Sequence, residues 1–438
     1  MKCQHSGILL SIFVCAAASF AQVPSWESEN AAGLWAYQQG NYAEAETHFR
    51  GAFRQAEEFG ELDPRLSATI NNLAAVEHAE GNFAEAEQLY RRALTISERV
   101  SGRETEDAAS LLNNLAKLLD ERTRYSEAGP LYERALAIQK VVGPGQQDEA
   151  IVLDNFAGMR SKEGKYSESI SLYQQALAIY QSVLGDDHRD VATVLNKLAG
   201  IYYSQGNYKD AELCYRRTFA ILEKKLSPEH PDMATIQHNL ATVQVYEGKY
   251  IEAESLLQRA LAIRARALGP EDPAVVPILD SLALLFQEQG RYSEAEPLIE
   301  RVLVFREKTF GPEHPAVAVV LTDLAELRRQ EGKSSDAEPL LERALAIQEK
   351  AFGPQHPNVA NVLSGLGVVQ QSEGQYSTAE RLFRSALAIR ERALGPEHPH
   401  VATALNNLAS SLQKQGKSAE AEPLLHRGLA IRIKVFGP

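Results

Sequence analysis

Histidine and glutamate recur together in short proline-flanked segments, so metal or acid–base chemistry is sought there first. His230, His314, His356 and His398 lie in PEHP-type segments, and His188 lies in GDDHRD. A tetrahedral metal site needs about four such ligands around one ion. These histidines come once per repeating unit, and Asp272 takes the place in GPEDP. Neighbours therefore stand a helix pair apart, and a loop and N-cap role is expected. The acidic pairs Glu44/Glu46, Glu85/Glu87, Glu252/Glu254, Glu294/Glu296 and Glu420/Glu422 recur in most units, which no active site requires. They read as first-turn partners of the helix dipole on a solvated face. Gly332-Lys333-Ser334 and Gly416-Lys417-Ser418 resemble the end of a phosphate loop, but Leu327 and Ser411 stand where its first glycine is required. No HExxH, GxSxG or CxxC occurs. No catalytic residue, metal site or cofactor is expected.

Amide side chains are the remaining candidates. Asn72, Asn114, Asn155, Asn239 and Asn407 occupy one position, just before a Leu-Ala or Phe-Ala step. A second asparagine precedes it at Asn71, Asn113 and Asn406, and Asn196 precedes Lys197. Asparagine is a poor interior helix residue, so its recurrence asks for a cause. An amide both donates and accepts, which suits either a bound peptide unit or a neighbouring helix. Lys197, Ser281, Asp323 and Gly365 interrupt the pattern. The stretch around Asn72 to Asn155 is thus the better site. His78, Lys117, Asp120, Lys162, Tyr203 and Tyr246 lie nearby and could set specificity, though no cluster of Lys and Arg is evident.

The elements that would position these groups come from a repeat. A turn glycine falls at Gly40, Gly81, Gly164, Gly206, Gly248, Gly290, Gly332, Gly374 and Gly416, with Thr123 standing in once; from Gly164 onward the step is always 42 residues. A fixed period of this size marks a solenoid. In the last copy Val401, Ala404, Leu405, Leu408 and Leu412 have helical spacing. Gly416 closes that helix, and a second one opens near Ser418 and ends with Arg432 and Lys434. Pro130, Pro297, Pro339 and Pro423 sit in first turns, where a missing N–H does little harm. Small residues (Ala45, Ala86, Ala128, Ala211, Ala253) let helices approach, and large ones (Phe49, Tyr90, Tyr132, Tyr173) fill the groove.

Leu-Ala, then G-x-Y-x-x-A, a large residue and another Ala is a pattern that resembles the tetratricopeptide (TPR) repeat. The 42-residue step and the GPEHPxVA connector are similar to the kinesin light chain variety, common in bacterial proteins. The resemblance covers about residues 25–438. It implies an all-α, right-handed superhelical solenoid of about ten antiparallel helix pairs. It also implies that the first helices line a concave face, where the recurrent asparagine bonds an extended peptide.

Residues 1–21 read as a secretory signal peptide: Lys2, an apolar run from Ile8 to Ala18, and Ser19-Phe20-Ala21 before the cut. Residues 22–438 then form one solenoid, with a degenerate first repeat over 22–60 and regular repeats from about 185. Export to the periplasm or beyond is expected, with no other membrane association. Cys214 is the single cysteine after residue 21, so no internal disulfide forms, and it reads as a packed thiol. The formal charge is −13, which argues against nucleic acid as a partner. The function expected is a non-enzymatic scaffold for a peptide or protein partner. Structural self-association, or an accessory subunit of an enzyme or export complex, are the alternatives. Leu424, Leu425, Leu429, Ile431, Val435 and Phe436 suggest a sticky final helix and weak end-to-end association.

Overall fold

The computed structural model describes residues 25–143 and 145–436, with side chains through Ile433. The proposed signal segment lies outside the described residues. Among the described residues there are twenty α-helices, one 3₁₀ turn and no strand. In chain order the first ten are α1 (Trp26–Gln38), α2 (Tyr42–Glu58), α3 (Pro64–Glu80), α4 (Phe83–Val100), α5 (Glu106–Glu121), α6 (Tyr125–Val142), α7 (Gln147–Lys162), α8 (Tyr166–Leu184), α9 (Arg189–Ser204) and α10 (Tyr208–Lys225). The second ten are α11 (Pro231–Tyr246), α12 (Tyr250–Leu268), α13 (Val276–Glu288), α14 (Tyr292–Phe310), α15 (Pro315–Gln330), α16 (Ser334–Phe352), α17 (Pro357–Ser372), α18 (Tyr376–Leu394), α19 (Pro399–Lys414) and α20 (Ser418–Phe436). Each odd helix packs on the even helix after it, giving ten pairs.

The turn inside each pair is set by backbone geometry. The nine anchor glycines have φ between 70° and 87°, and Thr123 is forced to φ 57° in the same place. The connector between pairs uses a different conformation. Gly185, Gly269, Gly311, Gly353 and Gly395 combine φ of 81–99° with ψ near 155°, a region open essentially to glycine alone. Ser227 stands in the equivalent place after α10. There the helix stops one residue sooner, and Leu226 turns extended at φ −117°, ψ 153°. The chain divides into two compact units at this point, the first ending at Leu226 and the second beginning at Ser227. The sequence pattern alone had suggested a single array.

The small positions are all closed. Ala45, Ala86, Ala128, Ala211, Ala253, Ala295, Ala337, Ala379 and Ala421 have no exposed surface. Ser169 replaces alanine once, and its hydroxyl donates to the Ala157 carbonyl at 2.7 Å. The large residues beside them, such as Phe49, Tyr90, Tyr132 and Phe383, are buried. Two of these rings press on glycine: a Cβ at Gly33 or Gly367 would lie 2.6 Å from Phe49 or Phe383.

The PEHP segments are structural. His188, His230, His314, His356 and His398 are N-caps whose Nδ1 accepts the backbone N–H two residues on, at 3.1–3.2 Å. Asp272 does the same with an oxygen, at 2.8 Å. The connector glutamates bind forward to the next pair: Glu271 accepts from Lys308 at 2.5 Å, and Glu229 and Glu313 accept from Arg266 and Lys350. After Asp272 a 3₁₀ turn, Pro273–Val275, precedes α13. Pro277 has no N–H to give Pro273, so an α-helical first turn cannot close there.

Candidate functional site

The asparagines form a ladder between repeats. Asn72 Nδ2 donates to Asn30 Oδ1 at 2.9 Å, Asn114 to Asn71 at 2.9 Å, and Asn155 to Asn113 at 3.0 Å. The second amide of each doublet reaches back one repeat and the first reaches forward. Asn71, Asn72, Asn113 and Asn114 have no exposed surface. Asn72 and Asn114 therefore bond neighbouring helices and touch no ligand in this arrangement. A buried amide must find a partner or carry the cost of desolvation, and the next repeat supplies it. Asn155 differs, being half-buried at the edge of an open groove. Asn239 and Asn407 are also half-buried, on α11 and α19.

The ladder continues with other chemistry. Lys197 Nζ donates to both Asp154 oxygens at 2.9 and 2.7 Å, and His238 Nε2 meets Ser281 Oγ at 2.9 Å. Burial lowers the His238 pKa. One step further the register brings Asp280 of α13 to Asp323 of α15. Burial first, and then the Asp280 charge, push the Asp323 carboxyl up to about 6, with Arg306 opposing. Both carboxylates still present open surface, so water screens part of this effect.

A groove of about 530 Å³ opens across α5, α7 and α9. Its volume suits a side chain or a short peptide segment. Lys117, Asp120 and Glu121 come from α5, Asp154, Asn155 and Lys162 from α7, and Lys197 from α9. Gly158 and Gly200 leave its floor low, at the position that carries Lys117 one repeat earlier. Two lysines are committed to carboxylates: Lys162 to Asp120 at 2.8 Å and Lys197 to Asp154. Glu121 binds His78 Nε2 at 2.8 Å. Burial alone would raise the Glu121 carboxyl; that bond, with Lys117 and Lys162, holds it below the usual range. Asp120 is raised by burial, against the pull of Lys162, and its Oδ1 has no hydrogen-bond partner among the described residues. Lys117 has no ion pair or hydrogen bond among them either, and burial lowers its pKa. Sequence reasoning named Lys117, Asp120 and Lys162 but missed their convergence with Lys197.

Among the described residues no three His, Cys, Asp or Glu side chains gather to hold a metal ion, and no helix is long and apolar enough to cross a membrane. Cys214 is buried, and burial pushes its thiol up to about 11, so it is a packed thiol and a poor nucleophile at neutral pH.

No curated protein sequence matches the chain. Among solved structures, a kinesin light chain assignment from Podosopora anserina, with nearly identical TPR-like repeats, shares 32% identity. That match covers 48% of this chain and 100% of that one, with a TM-score of 0.41. BtubC (BKLC) from P. vanneervenii shares 26% identity, covering 57% of this chain and 91% of that one, with a TM-score of 0.41. The apo quorum sensor NprR from B. thuringiensis shares 15% identity over 82% of this chain and 97% of that one; its TM-score of 0.59 reports a common fold. A tetratricopeptide repeat family model matches residues 65–140, 148–224, 232–308, 281–350, 331–392 and 358–434. With its paired helices, its φ-positive turn glycines and this match over well more than half its length, the chain belongs to the tetratricopeptide repeat family.

Proposed function

We propose that the chain is a non-enzymatic scaffold that holds a peptide, or an extended segment of a partner protein, in the groove across α5, α7 and α9. The observation that carries this reading is Lys117, a groove-lining amine over a glycine floor with no ion pair or hydrogen bond among the described residues. A groove of this kind is completed by a ligand that offers an acceptor to the amine. Contacts are assigned to Lys117, Asn155, Lys162 and Lys197 in place of the buried Asn72 and Asn114. Asn239 and Asn407 are the corresponding candidates in the second unit. Selection of a displayed random peptide library on the full chain tests this. Enriched sequences should lose binding to Lys117→Ala and keep it with Asn114→Ala. Enrichment indifferent to Lys117→Ala would overturn the site.

Export remains part of the proposal: the mature chain should begin at Gln22, and N-terminal sequencing of exported material decides it. An intact Met1 would remove that part. A second reading, self-association, is favoured by one observation. Leu425, Leu429 and Ile433 are exposed on α20. Ile431 does not belong to that face, because it packs on Val401, Ala402 and Leu405.

A further inference from the structure

The groove contains an amine with no ion pair or hydrogen bond among the described residues, and this has a chemical consequence independent of peptide binding. Lys117 stands on α5 at the position that becomes Gly158 on α7 and Gly200 on α9. Its side chain therefore borders space that no neighbouring side chain fills. A Cβ at Gly158 would meet only the Tyr173 hydroxyl, at 3.4 Å, and one at Gly200 only the Tyr215 hydroxyl, at 3.8 Å. The lysines that share the groove have carboxylate partners within 2.8 Å, whereas Lys117 has none among the described residues. Glu121, one turn away on the same helix, is drawn off by His78.

We propose that Lys117 is a covalent capture site for small aldehydes, condensing with them to an imine inside the groove. The neutral amine adds to the carbonyl carbon, forming a C–N bond. The carbonyl oxygen then leaves as water, taking both protons from the nitrogen, and a C=N bond remains. Nothing is oxidised or reduced. The volume of about 530 Å³ holds a compound of one aromatic ring with room to spare. Burial, with the Lys197 and Lys162 charges, lowers the basicity of the amine against the pull of Glu121 and Asp154, which supports this chemistry.

The test uses the full chain without peptide, so it stands apart from the peptide reading. Pyridoxal is added with sodium cyanoborohydride, whose hydride reduces the imine carbon while water protonates the nitrogen. Each lysine is then quantified by peptide mass spectrometry at several pH values. Lys117 should be modified at least about fivefold faster than Lys162 or Lys197 at pH 7, with its rate falling as pH is lowered, because the neutral fraction drops about tenfold for each pH unit below the pKa. Glu121→Gln removes a charge that favours the ammonium, and should speed capture at Lys117; mere accessibility would leave the rate unchanged. Lys117→Arg should abolish the fast phase with the helical signal intact. Uniform modification of all lysines, or a rate at Lys117 that ignores Glu121→Gln, overturns the proposal.

Discussion

Asn114→Ala separates a ladder residue from a ligand residue. The substitution removes the Nδ2 bond to Asn71 at 2.9 Å and the bond that Oδ1 accepts from Asn113 at 3.3 Å. Each bond contributes about 0.5–1.5 kcal/mol net, so α3 and α5 should lose about 1–3 kcal/mol of local stability. A ten-pair array need not unfold in one step, so the assay is native-state hydrogen exchange read peptide by peptide. Amides of α5 should exchange roughly 5- to 150-fold faster, by the conversion of about 1.4 kcal/mol per decade. Asn71→Ala with Asn114→Ala should cost less than the two separately, by about 1 kcal/mol. Affinity for a selected peptide should hold, since Asn114 has no exposed surface. Unchanged exchange with lost peptide binding would refute the ladder and return Asn114 to the ligand.

The Asp280–Asp323 step makes stability pH-dependent in the second unit. The folded Asp323 pKa, about 6, exceeds its ordinary 3.8. The folded state thus keeps an extra proton between those values, and stability falls as pH rises through about 6. After discounting for its open surface, Asp323→Asn should slow exchange in α15 by about 1 kcal/mol at pH 7 and leave it unchanged at pH 3.5; no gain at pH 7 would remove the like-charge reading. Gly367→Ala should cost about 1–3 kcal/mol through overpacking on Phe383, and Phe383→Leu should recover most of it; a tolerated alanine would show that the ring has room to move. Sedimentation of the wild type should show weak association that Leu425→Glu with Leu429→Glu abolishes; a strict monomer at high micromolar concentration would discard the α20 contact.

The helix pairs were legible because each is set by local chemistry: a φ-positive glycine, an alanine that cannot be enlarged, a histidine or aspartate N-cap. Thr123 was readable as a turn residue from its place in the period alone. The asparagine role was harder, because one helix position can face a groove or a neighbouring repeat. The signal lay in the doublets: Asn71-Asn72 and Asn113-Asn114 supply one amide for each side, as a ladder needs. The lysine groove was hidden for another reason. Lys117, Lys162 and Lys197 fall at three different places in the 42-residue unit, so a search along one register misses them. They converge because successive first helices offset those places in space, and Asp120 and Asp154 then draw the long side chains across. The glycine that becomes Ser227 was visible in the sequence, but its effect on where α10 ends needed the backbone.

A peptide lying across α5, α7 and α9 should shield the backbone of those helices from solvent. Hydrogen exchange of the full chain, with and without a library-selected peptide, measures this most directly. Slowed exchange should concentrate in the segments bearing Lys117, Lys162 and Lys197, and should be lost in Lys117→Ala. Protection confined to other helices, or unchanged by Lys117→Ala, would contradict it.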